Sequence, residues 1–285
     1  MNRRGMALLA TLWLLGALSA VALTTLAVAR VQRGAALNGL ALTRGRWAAE
    51  GCLALLQAAV AQDSVIHGID STDLGGGTWC RATVEDPDAR LTLDQTPPEI
   101  LDGLLGDHAL TSALLDWTDA DDLPRDGGAE REWYRAAGRG GPRNGPIAGV
   151  DELLRIAGFD STVVARVRPF VTTSGTGHLA VNVAPPELLE LIPGFDRATV
   201  AIVLRRRGTG RPFRDLDDLV AALPTALRTP ILVRYAELRT FLSFTPSRLL
   251  VHLEGHVPEA AIVATPTLLV VPVPGRLAIL HWEAL

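Results

Sequence analysis

The chain has 285 residues, 48% of them hydrophobic and 20% charged, and its 27 basic and 31 acidic side chains leave a formal charge of -4. No basic surplus of the kind used for nucleic-acid binding is present, so no nucleic-acid partner is expected. Every basic residue is arginine, which excludes Schiff-base chemistry and a P-loop lysine, and neither a G-x-S-x-G nor a G-x-G-x-x-G phrase occurs, so no enzyme is expected.

Met6 to Ala29 is a run of 24 uncharged residues behind the short basic leader Met1-Asn2-Arg3-Arg4-Gly5. As a helix rising about 1.5 Å per residue, it is long enough to cross a hydrocarbon core of about 30 Å. Arg3 and Arg4 are retained on the cytoplasmic side, which puts the bulk of the chain outside the cytoplasm. A cleaved signal peptide ending at Ala27-Val28-Ala29 is the competing reading, but the run exceeds the roughly 7 to 15 apolar residues of such segments. Beyond Ala29 the apolar positions Leu37, Leu40, Ala41, Ala48, Cys52, Leu55, Leu56 and Ala59 recur at spacings of three and four. One helix over residues 6–62, about 85 Å long, is therefore expected, first apolar all round and then amphipathic.

The Gly-rich stretch after Gln62 has no sustained period and reads as a loop. Thr78 to Val84 reads as a strand, ended by the turn residues Asp86-Pro87-Asp88. The chain has two cysteines, Cys52 and Cys80. In an oxidising compartment they can close a disulfide, and two buried thiols are the alternative.

Leu91 to Leu101, LTLDQTPPEIL, returns 88 residues later as Leu179 to Leu189, LAVNVAPPELL. Each copy runs from an extended piece through a proline near the first helical position to a glutamate in the first turn, which marks a helix start. Residues 96–240 are thus expected to be mostly short helices in two related bundles. The stretches around Gly158 and Gly194 resemble helix-hairpin-helix units. DNA-binding versions hold a phosphate on backbone N–H groups, but Asp160 and Asp196 stand where an acid opposes a phosphate. A packing motif with a solvated face at Arg205, Arg206 and Arg207 is expected instead, and an exported DNA-binding protein is the alternative function.

Between the two copies, Asp116, Asp119, Asp121, Asp122 and Asp126 crowd five carboxylates into eleven residues, followed by Glu130 and Glu132. Hard oxygen ligands on a loop containing Gly127 and Gly128 suit Ca²⁺, and a solvated acidic loop is the other reading. From Phe241 onward, Arg248 to Glu254, Ala260 to Ala264, Thr267 to Val273 and Arg276 to Trp282 read as strands, which with Thr78 to Val84 imply one interrupted sheet. His252 and His256 lie four apart on a strand, without the adjacent glutamate of a zinc protease.

The leader ending in Gly5, an apolar helix from Met6 and its amphipathic continuation resemble the signal of type IV prepilins and type II secretion pseudopilins. Most pilins carry a glutamate where this chain has Ala10, and its loss marks the large minor pseudopilin lettered K. DWTDADD, GGAEREWY, VDELLRIAGF and LAVNVAPPELL resemble, in that order, the helical domain of that family. The resemblance implies an α+β fold: a leader at 1–5, a pilin helix at 6–62, sheet pieces at 63–95 and 241–285, and an inserted helical domain at 96–240 with two SAM-like or helix-hairpin-helix-like bundles. It also implies cleavage by prepilin peptidase between Gly5 and Met6, with methylation of the new N-terminus, and Ca²⁺ held by some of Asp119, Asp121, Asp122 and Glu130. The implied location is the bacterial inner membrane, single-pass, with the globular part in the periplasm. The implied role is a pseudopilus tip subunit supporting protein export, with the minor pseudopilins I, J and H as partners.

Overall fold

The computed structural model describes residues 3–62, 68–258 and 264–283, which group into two compact units. One unit comprises residues 1–84 and 251–285, the other Glu85–Leu250.

The first unit is built on α1, Arg3–Gln62, one unbroken helix of 60 residues. No proline interrupts it, and its Ala and Leu content favours the helical state along its length. It starts three residues before the expected Met6 and ends at the expected Gln62. Its first half is bare: Trp13 is 79% and Val31 73% exposed. Its second half buries Ala41, Ala48, Ala49, Cys52, Leu56 and Val60, a stripe at helical spacing.

The stretch after Gln62, expected to be a loop, holds strand β1, Ile69–Gly75, antiparallel to β2, Thr78–Glu85. The strand lacks an apolar alternation because most of its side chains are exposed. The turn residues Gly76 and Gly77 have φ of 62° and 76°, the paired left-handed geometry that closes a two-residue hairpin. Strands β7 (Leu249–His256), β8 (Thr267–Val273) and β9 (Arg276–Glu283) complete one sheet in the order β1-β2-β7-β8-β9, so the chain leaves at β2 and returns beside it at β7. Of the expected strand Ala260 to Ala264, only Ala264 lies among the described residues, and it bridges Gly255.

Two tight fits seat α1 on this sheet. A Cβ at Gly255 would collide with the Gly45 carbonyl oxygen and lie 2.8 Å from the Ala49 nitrogen. The Gln57 side-chain amide donates to Leu277 O at 2.8 Å and accepts from Leu277 N at 2.9 Å, as a neighbouring strand would.

The second unit contains two hydrophobic cores, one built mainly around each copy of the repeated phrase, with Leu91 and Ile100 of the first copy packed into the core of the second. The first copy runs through β3 (Leu91–Thr92), α2 (Pro98–Leu105), α3 (His108–Thr118), α4 (Arg131–Ala136), α5 (Ser161–Val167) and β4 (Val171–Thr172). The second runs through β5 (Leu179–Ala180), α6 (Pro186–Leu189), α7 (Arg197–Gly208), α8 (Leu216–Ala222), α9 (Thr225–Val233), α10 (Tyr235–Phe241) and β6 (Leu242–Ser243). Each copy is closed by a parallel pair of its terminal strands, β3 with β4 and β5 with β6. Equivalent bonds follow: Leu93 N donates to Thr172 O at 3.2 Å, and Val181 N to Ser243 O at 2.9 Å. The buried Asp88 carboxylate ties the start of the first copy to the linker between them, accepting from Thr176 N and Thr176 Oγ1, each at 2.6 Å.

The helix-hairpin-helix stretches match in geometry as well. Gly158 and Gly194 turn the chain with φ of 80° and 90°. Asp160 then accepts from Val163 N at 2.8 Å and Asp196 from Thr199 N at 2.7 Å. The acids therefore cap the helix N-termini with their own charge, in the place a phosphate would take.

The expectation of a solvated arginine face holds for Arg205 and fails for its two neighbours. Arg206 binds both Asp218 oxygens, at 3.1 and 2.6 Å, and stacks 4.1 Å from the Phe213 ring centre. Arg207 donates to the carbonyls of Val181 and Ala184, and its burial pulls its pKa down to about 10. A run of like charges at a helix end satisfies carbonyls and an acid of the same unit, which sequence spacing does not disclose.

Candidate cation site

Helix α3 starts on Asp107, whose carboxylate caps Ala109 N, and ends at Asp119. In a helix, residues three apart share a face, so Asp116 and Asp119 stand one above the other at its last turn. The chain then turns through Arg125 to Gly128, with Gly127 at φ 72° and Gly128 N donating to Arg125 O at 2.9 Å, and enters α4 at Glu130. Gly128 has no room for a side chain, because Asp116 Oδ2 occupies the place of its Cβ. Glu130 is thereby folded back against the acids of α3: ligand atoms of Asp116, Asp119 and Glu130 all lie within 4.8 Å of one another.

The cluster is largely shut off from water, with Asp116 fully buried and Glu130 4% exposed. Asp116 accepts from Arg125 N and, at 2.7 Å, from the Arg125 guanidinium, which also binds Asp119 Oδ2. Both Glu130 oxygens and Asp119 Oδ1 are buried without a hydrogen-bond partner. One guanidinium thus faces three carboxylates. Burial first, then the charges of Asp116, Asp119 and Asp122, push the Glu130 carboxyl up to about 7. Unsatisfied buried carboxylate oxygens are costly, and a bound cation would satisfy them.

The donors suit a hard cation. Three carboxylates offer up to six oxygens at a spacing compatible with Ca²⁺ bonds of about 2.3 to 2.6 Å. Bound there, the ion would cross-link the end of α3 to the start of α4. Trp117 and Tyr134, on those same two helices, pack edge to face with ring centres 5.3 Å apart. Trp117 Nε1 donates to Glu152 Oε1 at 3.0 Å, and Tyr134 Oη accepts from Ala157 N at 3.0 Å, so the site is continuous with the first core.

Of the expected ligands, the structure brings Asp119 and Glu130 together and leaves Asp121 and Asp122 outside. Asp121 Oδ1 accepts from Leu123 N at 2.8 Å as a turn residue, and Asp122 pairs with Arg131 at 3.3 Å in the open. Asp116, part of the acidic run but not among the expected ligands, takes their place, and the i, i+3 spacing to Asp119 was the signal for it. His252 bonds Thr267 Oγ1 at 3.0 Å and His256 stacks on Trp79 at 3.6 Å, so the two histidines serve the sheet separately. Gly5 and Met6 lie in the first turns of α1. Cys52 and Cys80 are both buried in the first unit as free thiols, with no disulfide between them in this structure.

Residues 101–175 match the family model of type II secretion system (T2SS) protein K, and the cation site lies within them. A curated relative, type II secretion system protein K of Klebsiella pneumoniae, is 36% identical over 101 residues. That alignment covers 34% of this chain and spans only 31% of the relative's length. A chain of the crystal structure of the GspK-GspI-GspJ complex from the type 2 secretion system of enterotoxigenic Escherichia coli shares the fold. The TM-score is 0.63 over 89% of this chain and 95% of that one, at 18% identity. Residues 101–175, which carry the cation site and part of the first core, are thus the part of the chain that is similar to type II secretion system protein K.

Proposed function

We propose that this chain is a minor pseudopilin of a type II secretion system, placed at the tip of the pseudopilus and supporting export of folded proteins across the outer membrane. One combination carries the reading: the protein K segment at 101–175 shares a chain with a 60-residue helix whose first half is apolar and bare. The helix from Thr11 is long and apolar enough to cross a membrane, with an 18-residue window of mean hydropathy 2.0. It anchors the protein in the inner membrane, with the globular part in the periplasm, after prepilin peptidase cuts between Gly5 and Met6 and the new amine is methylated. The partners are the minor pseudopilins I and J, with H beneath. Ca²⁺ bound by Asp116, Asp119 and Glu130 has a structural role.

Co-purification of the full-length protein with I and J in detergent is expected to yield a one-to-one-to-one complex. No complex at micromolar concentration would overturn the assignment. Mass spectrometry of the native protein should find Met6 as the first residue, and a start at Arg30 would restore the signal-peptide reading.

A further inference from the structure

We propose that Cys52 and Cys80 are joined by a disulfide in the exported protein, a covalent staple between α1 and strand β2. The sheet presents Cys80 and Ala82 on the buried side of β2, and the helix presents Cys52 in the middle of its buried stripe. Both cysteines are 0% exposed and their thiols are free in this structure, and burial first, then the neighbouring Cys80 thiol, pushes the Cys52 thiol up to about 12. With two cysteines in the chain there is one possible pairing. Among the described residues, the one cluster of possible metal ligands is Asp116, Asp119 and Glu130, so the thiols are not part of it.

Helix and sheet are already fixed in register on either side of this contact. The backbones touch at Gly45 and Gly255, a Cβ at Gly51 would lie 3.5 Å from Leu74 of β1, and the Gln57 amide clamps Leu277, so positions 45, 51 and 57 of one helix all meet the sheet. A disulfide needs Cα atoms within about 7 Å. Strand β2 lies next to β7 in the sheet, so Cys80 is on the strand beside the one that α1 touches backbone to backbone.

The staple rests on the export reading, because disulfides persist in oxidising compartments. The oxidant is a protein disulfide of the dithiol oxidoreductase class. One cysteine thiolate attacks that disulfide, forming a mixed disulfide and releasing one thiolate of the oxidant. The second cysteine thiolate attacks the mixed disulfide at the sulfur of its partner cysteine, forming the Cys52–Cys80 bond and expelling the other oxidant thiolate. Two electrons and two protons pass to the oxidant, which leaves as a dithiol. Since both sulfurs are buried in the folded unit, the exchange precedes the closing of α1 onto β2.

The test uses full-length protein extracted from membranes in detergent, denatured and alkylated without reductant, then cleaved after arginine. Both cysteines fall in one peptide, Trp47 to Arg81. The expected result is that peptide unalkylated and two hydrogens lighter than its dithiol form, with two alkyl groups added only after reduction. As a second readout, reductant should lower the melting temperature of the native protein and leave that of a Cys52→Ser, Cys80→Ser double variant unchanged. A control sample is refolded in detergent against glutathione disulfide. Two alkylated thiols in both samples overturn the staple. Thiols in the cell-derived protein with a bridge in the refolded one leave the pairing standing and overturn the export reading.

Discussion

Glu130 shows how much a single side chain changes when its neighbours are placed. In the sequence it is one of several acids, whereas in the fold it is a buried carboxylate with neither oxygen bonded and its proton affinity raised. Ca²⁺ at 100 times its dissociation constant should add about 2.7 kcal/mol of stability. That gain is expected to vanish in Glu130→Gln and in Asp116→Asn and to survive in Asp121→Asn, as thermal melts with Ca²⁺ and with chelator would show. Loss of the gain in Asp121→Asn alone would return the site to the loop. Asp86 gives a separate handle on pH. Burial is the main cause that lifts its carboxyl to about 6, against the hydrogen bond it accepts from Asp88 N at 3.0 Å. The folded state then binds a proton that the unfolded chain, titrating near 4, has released. Stability therefore falls as pH rises from about 4 to about 6. Asp86→Asn keeps a capping oxygen and removes this contribution, so it should flatten that part of the stability profile and raise stability at neutral pH. An unchanged slope would show that the carboxyl titrates normally. The acidic run was legible as a possible cation site, but the convergence of Asp116 with Glu130 was not, because it depends on where α3 ends and how Gly127 and Gly128 turn the chain back.

At the scale of elements, α1 was legible almost to the residue, since a long run without proline or charge and then a stripe at spacings of three and four admit few other structures. Strand β1 was not, because an exposed edge strand has no apolar alternation to read and its identity comes from pairing with β2 through Gly76 and Gly77. The arginine run at 205–207 misled for the same reason, its partners Asp218, Val181 and Ala184 being far off in sequence. Seating of the helix on the sheet depends on Gly255. An added methyl there meets the backbone of α1 at Gly45 and Ala49 rather than a side chain that could swing away. Gly255→Ala is expected to cost on the order of 1 to 3 kcal/mol, as overpacking of a close contact does. A denaturation midpoint equal to that of the parent would mean that α1 is not held against β7 in solution.

For the whole molecule, the repeated phrase foretold more than composition did: two copies, two cores, each closed by a parallel pair of short strands. Length and hydropathy put on the same chain a helix long and apolar enough to cross a membrane, and on the proposed function this makes a filament subunit whose anchor and head have different duties. Position 10 joins those duties. In pilins generally the glutamate found there is thought to pair with the terminal amine of a neighbouring subunit, which offsets a cost of about 2.5 to 3.5 kcal/mol for a carboxylate at mid-membrane. A subunit with nothing above it has no amine to meet, and alanine removes the cost. On the proposed tip position, labelled protein should be found at one end of isolated pseudopili. Ala10→Glu should lower the level of membrane-inserted subunit without spreading the label along the shaft. Label distributed along the filament in either form, or an Ala10→Glu protein inserted as well as the parent, would show that a neighbour supplies the amine and would remove the subunit from the tip.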